Sequence, residues 1–147
     1  MTAPLTCFFK KIHPDAVIPA KSKEKSRGYD LTIVGVHSQA GPVTFYTTGL
    51  ILEPPADWEY NIYPRSGISK MGHFLVNGVG VVENDYRGPL LCALYKFDPK
   101  APDLQLPCRL FQIVFSEPLP NFEFVENDSI DLETDRGAAG FGSTGFR

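Results

Sequence analysis

Short apolar runs, separated by glycine and proline, make up most of the sequence. They are rich in β-branched and aromatic residues, which favour extended strands, and thirteen glycines and thirteen prolines interrupt them. The pattern predicts eight or more strands, within residues 5–10, 30–36, 43–52, 58–63, 79–82, 90–97, 109–115 and 122–126.

The period of the pattern is that of strands throughout. WEYNIY (58–63) and FEFVE (122–126) alternate apolar with polar residues, which indicates sheets with one face in water. No window has a helical period, and the best helix candidate is a single turn in SGISKMG (66–72). Many short strands at this spacing predict one all-β domain, a jelly-roll-like sandwich or barrel without internal repeats.

Composition places the chain among globular proteins. Its 147 residues are 43% hydrophobic and 21% charged, with a net charge of −3. This balance gives no general attraction to nucleic acid or to an anionic membrane, so we expect neither as a partner. No apolar run approaches the roughly 20 residues that span a bilayer, and the N-terminus lacks the apolar stretch of a signal peptide.

The cysteines and histidines favour no metal site. Cys7, Cys92 and Cys108 form no closely spaced pair and lie in apolar runs, and the three histidines are scattered. We interpret the cysteines as reduced core thiols of an intracellular protein, in the cytoplasm or nucleus. Zinc held by side chains is not expected.

YPRSG (63–67) ends an apolar strand and opens a turn. A serine hydroxyl, free backbone N–H groups and an arginine can bind phosphate oxygens there. An ordinary polar turn would show the same residues, so this stretch alone is weak evidence. The basic stretch AKSKEKSRG (20–28) is interpreted as a solvated loop, although it could lie near an anionic ligand.

VNGVGVVENDYRGPL (76–90) predicts a β-hairpin with an acidic corner. As a pocket it would offer backbone amides near its glycines, an aromatic face at Tyr86 and a carboxylate able to activate water. Glu83 and Asp85 are two residues apart, so on an extended chain we expect only one of them to face the pocket.

The C-terminal segment RGAAGFGSTGFR (136–147) has no GxxxxGK and is therefore not a P-loop. A disordered terminus is the simplest interpretation. However, glycines leave backbone N–H groups free, and Arg136, Phe141, Ser143 and Thr144 add a cation, a stacking face and hydroxyls. This set suits a flexible lid that closes over a nucleotide.

Taken together, the motifs resemble those of the trimeric dUTPases (deoxyuridine 5′-triphosphate nucleotidohydrolases). Five segments match the five motifs of that family in order and spacing. They are RGYDL (27–31), PRSGIS (64–69), NGVGVVENDYRG (77–88), RLFQIVF (109–115) and RGAAGFGSTG (136–145).

The resemblance implies a fold and a reaction. It implies a distorted jelly roll over residues 1–133, with residues 134–147 as a flexible arm. It also implies a homotrimer with shared active sites, each closed by the arm of a neighbouring chain. The implied reaction is water attack on the α-phosphorus of dUTP, giving dUMP and pyrophosphate. Mg²⁺ would be held by the triphosphate and water, not by side chains.

The resemblance also implies roles for individual residues. Asn77, with Gly80 and the backbone near Val81 and Val82, would bind the uracil edge, and Tyr86 would pack under the deoxyribose. Asp30 would support the charge network near the attacking water. The phosphate and lid contacts would come from Arg65, Ser66, Gly67, Gln112, Arg136, Gly142, Ser143 and Thr144, with Phe141 over the uracil.

Two departures from the family pattern stand out. Glu83 occupies the position of the catalytic aspartate, which keeps the charge and adds one methylene. In the fourth motif Cys108 replaces an aspartate and Phe111 a small residue, which predicts repacking near the subunit interface.

These departures motivate one alternative, a catalytically weak or inactive relative that binds nucleotide and regulates a partner. A second alternative is a dCTP deaminase, which shares the fold. That family needs a glutamate on the strand after the hairpin, and LLCALYKF (90–97) has no carboxylate.

Overall fold

The computed structural model describes residues 3–140 and 145, and within them the fold is almost entirely β. A single 3₁₀ turn, Ser66–Lys70, follows the sixth strand, and no helix in this part of the chain is long and apolar enough to cross a membrane. The strands are β1 Phe8–Lys11, β2 Tyr29–Ile33, β3 Gly35–Ala40, β4 Val43–Thr47, β5 Leu50–Glu53, β6 Glu59–Pro64, β7 His73–Leu75, β8 Gly80–Val82, β9 Leu91–Lys96 and β10 Cys108–Ser116.

The strands form two four-stranded sheets and one two-stranded sheet. The larger sheets have the orders β2-β10-β6-β8 and β3-β4-β9-β7, and β1 pairs with β5. Every strand pair is antiparallel. The described residues do not close into a barrel, so of the two predicted forms the sandwich is the one that the chain adopts.

The core lies between the sheets and is built by alternate positions of the central strands. Leu31, Tyr60, Cys92, Phe111 and Leu94 are at most 1% exposed. Burying a side chain of this size stabilises the fold by about 1.5–3 kcal/mol. Phe111 belongs to the core of its own chain, and the predicted repacking near a subunit interface stays a prediction.

Most predicted strands are present, with changes at their ends. The run 43–52 is two strands, β4 and β5, because the chain turns at Gly49 with φ of +69°. Only glycine fits there, since a Cβ would lie 2.5 Å from the Cβ of His13. The short strand β7 was not predicted, and the single helical turn was predicted correctly.

The predicted strand at FEFVE (122–126) is wrong for the isolated chain. The last strand ends at Ser116, and the residues after it have no regular structure as far as residue 140. Phe122 is 78% exposed and Phe124 is 99% exposed. The alternating pattern is real, but strand formation also needs a partner strand, and no strand within residues 3–140 pairs with the segment.

Candidate active site

One group of the predicted site residues lies in a row across the first large sheet. The register of the sheet places Gln112 of β10 between Asp30 of β2 and Tyr63 of β6. Arg65 directly follows β6, and its Nε lies 3.1 Å from Oδ1 of Asp30. Its Nη1 donates a 2.7 Å hydrogen bond to the carbonyl oxygen of Arg109. We call Asp30, Arg65, Arg109 and Gln112 the arginine cluster.

Arg109 is a member that the sequence reasoning left out of the site. Its Nη1 lies 3.7 Å from Oδ2 of Asp30, a buried oxygen that accepts no hydrogen bond from the described residues. Residues 109 and 112 would normally point to opposite faces of a strand. The register of β10 against β2 shifts between Cys108 and Phe111, which accounts for both side chains belonging to one cluster.

Removal of the Asp30 charge tests how much the ion pairs of this cluster contribute to the stability of the fold. We expect Asp30→Asn to lower the free energy of unfolding by about 1–3 kcal/mol, because two guanidinium groups lose their shared carboxylate. Urea unfolding followed by circular dichroism measures the change. The control is Asp103→Asn, which removes the exposed ion pair with Lys96 and is expected to change stability little. Equal losses from both variants would contradict a special role for Asp30.

Gln112 is packed closely against the β2 side of the sheet. Its Nε2 donates a 3.3 Å hydrogen bond to the carbonyl oxygen of Pro64. A Cβ on Gly28 would overlap its Oε1, so glycine is required for this rotamer. Ser66 and Gly67 begin the 3₁₀ turn beside Arg65 and are exposed, and the space around Gly67 is open.

A second group of predicted residues lines a cavity of about 540 Å³ beside β8. The predicted members present are Asn77, Gly80, Val81, Val82, Glu83 and Tyr86. Asp85 also lines it, so the prediction that only one carboxylate would face the pocket is wrong. The chain is not extended here, because the N–H of Tyr86 bonds the carbonyl oxygen of Glu83 and closes a turn.

The predicted hairpin is also corrected by the sheet topology. β8 pairs with β6 in the first large sheet, whereas β9 pairs with β4 and β7 in the second. The segment therefore crosses from one sheet to the other instead of folding back on itself. This crossing opens the cavity between Ile62 on one side and Leu90 and Leu91 on the other.

Tyr86 is held at the cavity wall by a contact within its own loop. Its hydroxyl donates a 2.8 Å hydrogen bond to the carbonyl oxygen of Pro89. Gly88 makes room for the ring, since a Cβ there would lie 2.5 Å from the hydroxyl oxygen. The ring is 42% exposed, so one face is available to a ligand.

Burial keeps the thiols protonated. It raises the pKa of Cys92 to about 12 and raises the pKa values of Cys7 and Cys108 as well. All three cysteines are unpaired. None has the lowered pKa of a nucleophilic cysteine.

The arm is only partly described. Nε of Arg136 donates a hydrogen bond to the carbonyl oxygen of Ala139. The backbone N–H of Ala139 donates one to the carbonyl oxygen of Arg136. The predicted contacts of Phe141, Gly142, Ser143 and Thr144 lie outside the described residues. Among the described residues, no group of three or more His, Cys, Asp or Glu side chains could hold a metal ion.

Comparisons with known proteins point to one family. A family model described as dUTPase matches residues 15–145. Deoxyuridine 5′-triphosphate nucleotidohydrolase of Wolinella succinogenes is 39% identical over 138 residues, which are 92% of this chain and 91% of the relative. The enzymes of that name from Nautilia profundicola and Helicobacter pylori (strain Shi470) are 35% and 37% identical. Each alignment covers 92% of this chain, with 96% of the first relative and 94% of the second.

Solved structures show the same fold. The G164S mutant of a Staphylococcus bacteriophage 80alpha dUTPase, with dUpNHpp, aligns with a TM-score of 0.68 at 17% identity, covering 96% of this chain and 99% of the phage chain. A dUTPase from Streptococcus mutans aligns with a TM-score of 0.66 at 23% identity, covering 78% and 98%. With a family model that matches almost the whole chain and relatives above 30% identity, this chain belongs to the dUTPase family.

Proposed function

We propose that the protein hydrolyses dUTP to dUMP and pyrophosphate in the cytoplasm. Membership of the dUTPase family supports the activity. The structural observation that carries the assignment is the cavity beside β8, which has Asn77 near Gly80 and a carboxylate and an aromatic ring at its acidic turn. Asn77 would bind the nucleobase, the carboxylate would act as the general base, and the aromatic ring would pack against the sugar. The alternative of an inactive relative is not favoured.

Specificity would arise inside the cavity. The Asn77 amide and the backbone of β8 can exchange hydrogen bonds with the edge of uracil. The corresponding edge of cytosine has its donors and acceptors reversed, so it would not match the same groups. A uracil held closely against the backbone beside Gly80 would leave no room for the methyl group of thymine. Tyr86 would pack against the deoxyribose and exclude a ribose hydroxyl.

Glu83 would act as the general base. Its carboxylate accepts a proton from a water molecule, whose oxygen forms a bond to the α-phosphorus. The bond from that phosphorus to the bridging oxygen of the β-phosphate breaks, and pyrophosphate leaves. The arginine cluster, with Ser66 and Gly67, would bind the phosphate chain and stabilise its negative charge.

Enzymes of this family generally depend on a divalent metal, and we propose Mg²⁺. We expect this ion to take its ligands from the triphosphate and water, as the family resemblance implies. Bound in this way, Mg²⁺ would neutralise charge on the phosphates. The protein side chains would bind and orient the resulting complex.

The geometry of a single chain favours a shared site. Gly80 lies opposite Ile62 and Val82 opposite Tyr60, so Glu83 lies level with the start of β6, whereas Arg65 follows its end. Six strand residues correspond to about 20 Å. Asn77, which would bind the uracil, lies on the Gly80 side of the cavity. The phosphates of a bound dUTP would therefore extend past Glu83, away from the arginines of the same chain. A homotrimer would supply the arginine cluster of a neighbouring chain.

Release of pyrophosphate from dUTP in the presence of Mg²⁺ tests the activity. We expect release from dUTP and little from dTTP, dCTP or UTP. No release at high enzyme concentration, with dUTP binding intact, would overturn the assignment and favour the non-catalytic alternative. Ammonia release from dCTP would instead indicate a deaminase.

Gly28→Ala tests the contribution of Gln112 to phosphate binding. The new Cβ would displace the Gln112 amide from Pro64, and we expect kcat/KM for dUTP to fall about 10-fold. Steady-state kinetics provide the measurement. The matched control is Gly35→Ala, whose Cβ would make only ordinary contacts at 3.6 Å and 3.7 Å. Unchanged kinetics in Gly28→Ala would exclude Gln112 from the phosphate site.

A further inference from the structure

The acidic turn is attached to a distant loop by one side chain. The Asn84 amide nitrogen donates two hydrogen bonds, of 2.8 Å to the carbonyl oxygen of Pro55 and 2.7 Å to that of Trp58. Both hydrogens of the amide are therefore used, and the side chain is partly buried. Asn84 lies between Glu83 and Asp85, so these two bonds fix the backbone that carries the proposed general base.

The loop that accepts these bonds is itself rigid. The N–H of Trp58 bonds the carbonyl oxygen of Pro55, which closes a turn. Asp57 within it has φ of +66°, the left-handed conformation that residues with a side chain rarely adopt. Two consecutive prolines, Pro54 and Pro55, further restrict the backbone. The two carbonyl oxygens therefore form a fixed receptor for a group with two donors.

The other side of the turn is held by an arginine. Nη1 of Arg87 donates to the carbonyl oxygens of Asn84 at 2.6 Å and of Tyr86 at 3.0 Å. Its Nε lies 3.7 Å from Oε2 of Glu53 at the end of β5. The Glu83 side chain itself is exposed, so its position depends on the backbone of this turn.

We propose that Asn84 is a positioning residue for catalysis, acting through Glu83; this proposal rests on the proposed function. The two bonds to Pro55 and Trp58 hold the turn so that the Glu83 carboxylate stays within reach of the attacking water. A glutamate has one more rotatable bond than an aspartate, so a fixed backbone limits the positions that its carboxylate can occupy.

The receptor selects asparagine by its chemistry. An aspartate at position 84 has the same shape but would direct a carboxylate oxygen at two carbonyl oxygens, which repel it. An alanine would lose both bonds without adding repulsion. The two substitutions therefore form a graded series at one position.

The experiment compares wild type, Asn84→Ala and Asn84→Asp in dUTP hydrolysis, binding of the analogue dUpNHpp and thermal unfolding. We expect kcat to fall about 10-fold for Asn84→Ala and about 100-fold for Asn84→Asp, since a displacement of about 1 Å can cost 10²-fold. The KM and the Kd for the analogue are expected to change less than twofold. The control Asn127→Asp adds the same charge at an exposed turn and keeps the oxygen that accepts the N–H of Ser129.

Each contrary outcome has a distinct meaning. Wild type without hydrolysis overturns the proposed function and this proposal together. Active wild type with unchanged kcat in both variants overturns the positioning role alone. A parallel loss of kcat, analogue binding and folding in both variants would assign Asn84 a purely structural role. If only Asn84→Asp fails to fold, the kcat of Asn84→Ala alone tests the positioning role.

Discussion

Glu83→Gln is expected to lower kcat for dUTP by on the order of 10³-fold while leaving the Kd for dUpNHpp within a few-fold of wild type. Glutamine keeps the shape of glutamate but cannot accept the proton of the attacking water. Because the side chain is exposed, the substitution leaves the fold intact. Single-turnover pyrophosphate release, combined with analogue binding, separates the chemical step from affinity.

The matched control for this change is Asp85→Asn, because both carboxylates line the same cavity. We expect a much smaller effect from Asp85→Asn. If that variant loses hydrolysis and Glu83→Gln keeps it, the general base is Asp85 and the proposed role of Glu83 is wrong.

Deletion of residues 137–147 is expected to lower kcat/KM for dUTP by about 100-fold or more and to preserve the folded assembly. The core ends well before the deleted segment, since β10 ends at Ser116 and every buried core residue precedes it. In the described part of the arm, the hydrogen bonds of Arg136 and Ala139 are local. Kinetics, size-exclusion chromatography with light scattering, and thermal unfolding provide the measurements.

Phe141→Ala in the full-length chain serves as the control for this deletion. It removes one proposed stacking contact and keeps the rest of the arm, so we expect a smaller loss of affinity. Should the deletion variant lose its oligomeric state, the arm would be structural and the lid hypothesis would fail.

The sequence predicts most of the strands because their apolar residues face a core within the same chain. It fails where the outcome depends on contacts that a local pattern does not contain. FEFVE alternates correctly, yet no strand in the described part of the chain pairs with it. The hairpin at residues 76–90 has good turn residues, but its strands pair with β6 in one sheet and with β4 and β7 in the other.

The candidate site shows the same division. The turn chemistry of YPRSG already brings Arg65 into consideration, whereas Asp30 and Gln112 come from motif resemblance alone. The structure places all three in one cluster. Arg109 joins them only through a register shift in β10, which alternation does not predict. The role of Asn84 is not visible in the local pattern, because its two acceptors lie 26 and 29 residues earlier in the chain.

The segment after β10 has a consequence for solubility. An unpaired, alternating stretch with exposed Phe122 and Phe124 is the kind of sequence that pairs with copies of itself and aggregates. Residues 117–135 carry seven acidic residues and no lysine or arginine. We expect their mutual repulsion to oppose self-association of a newly made chain, as charged gatekeepers flanking apolar strands do.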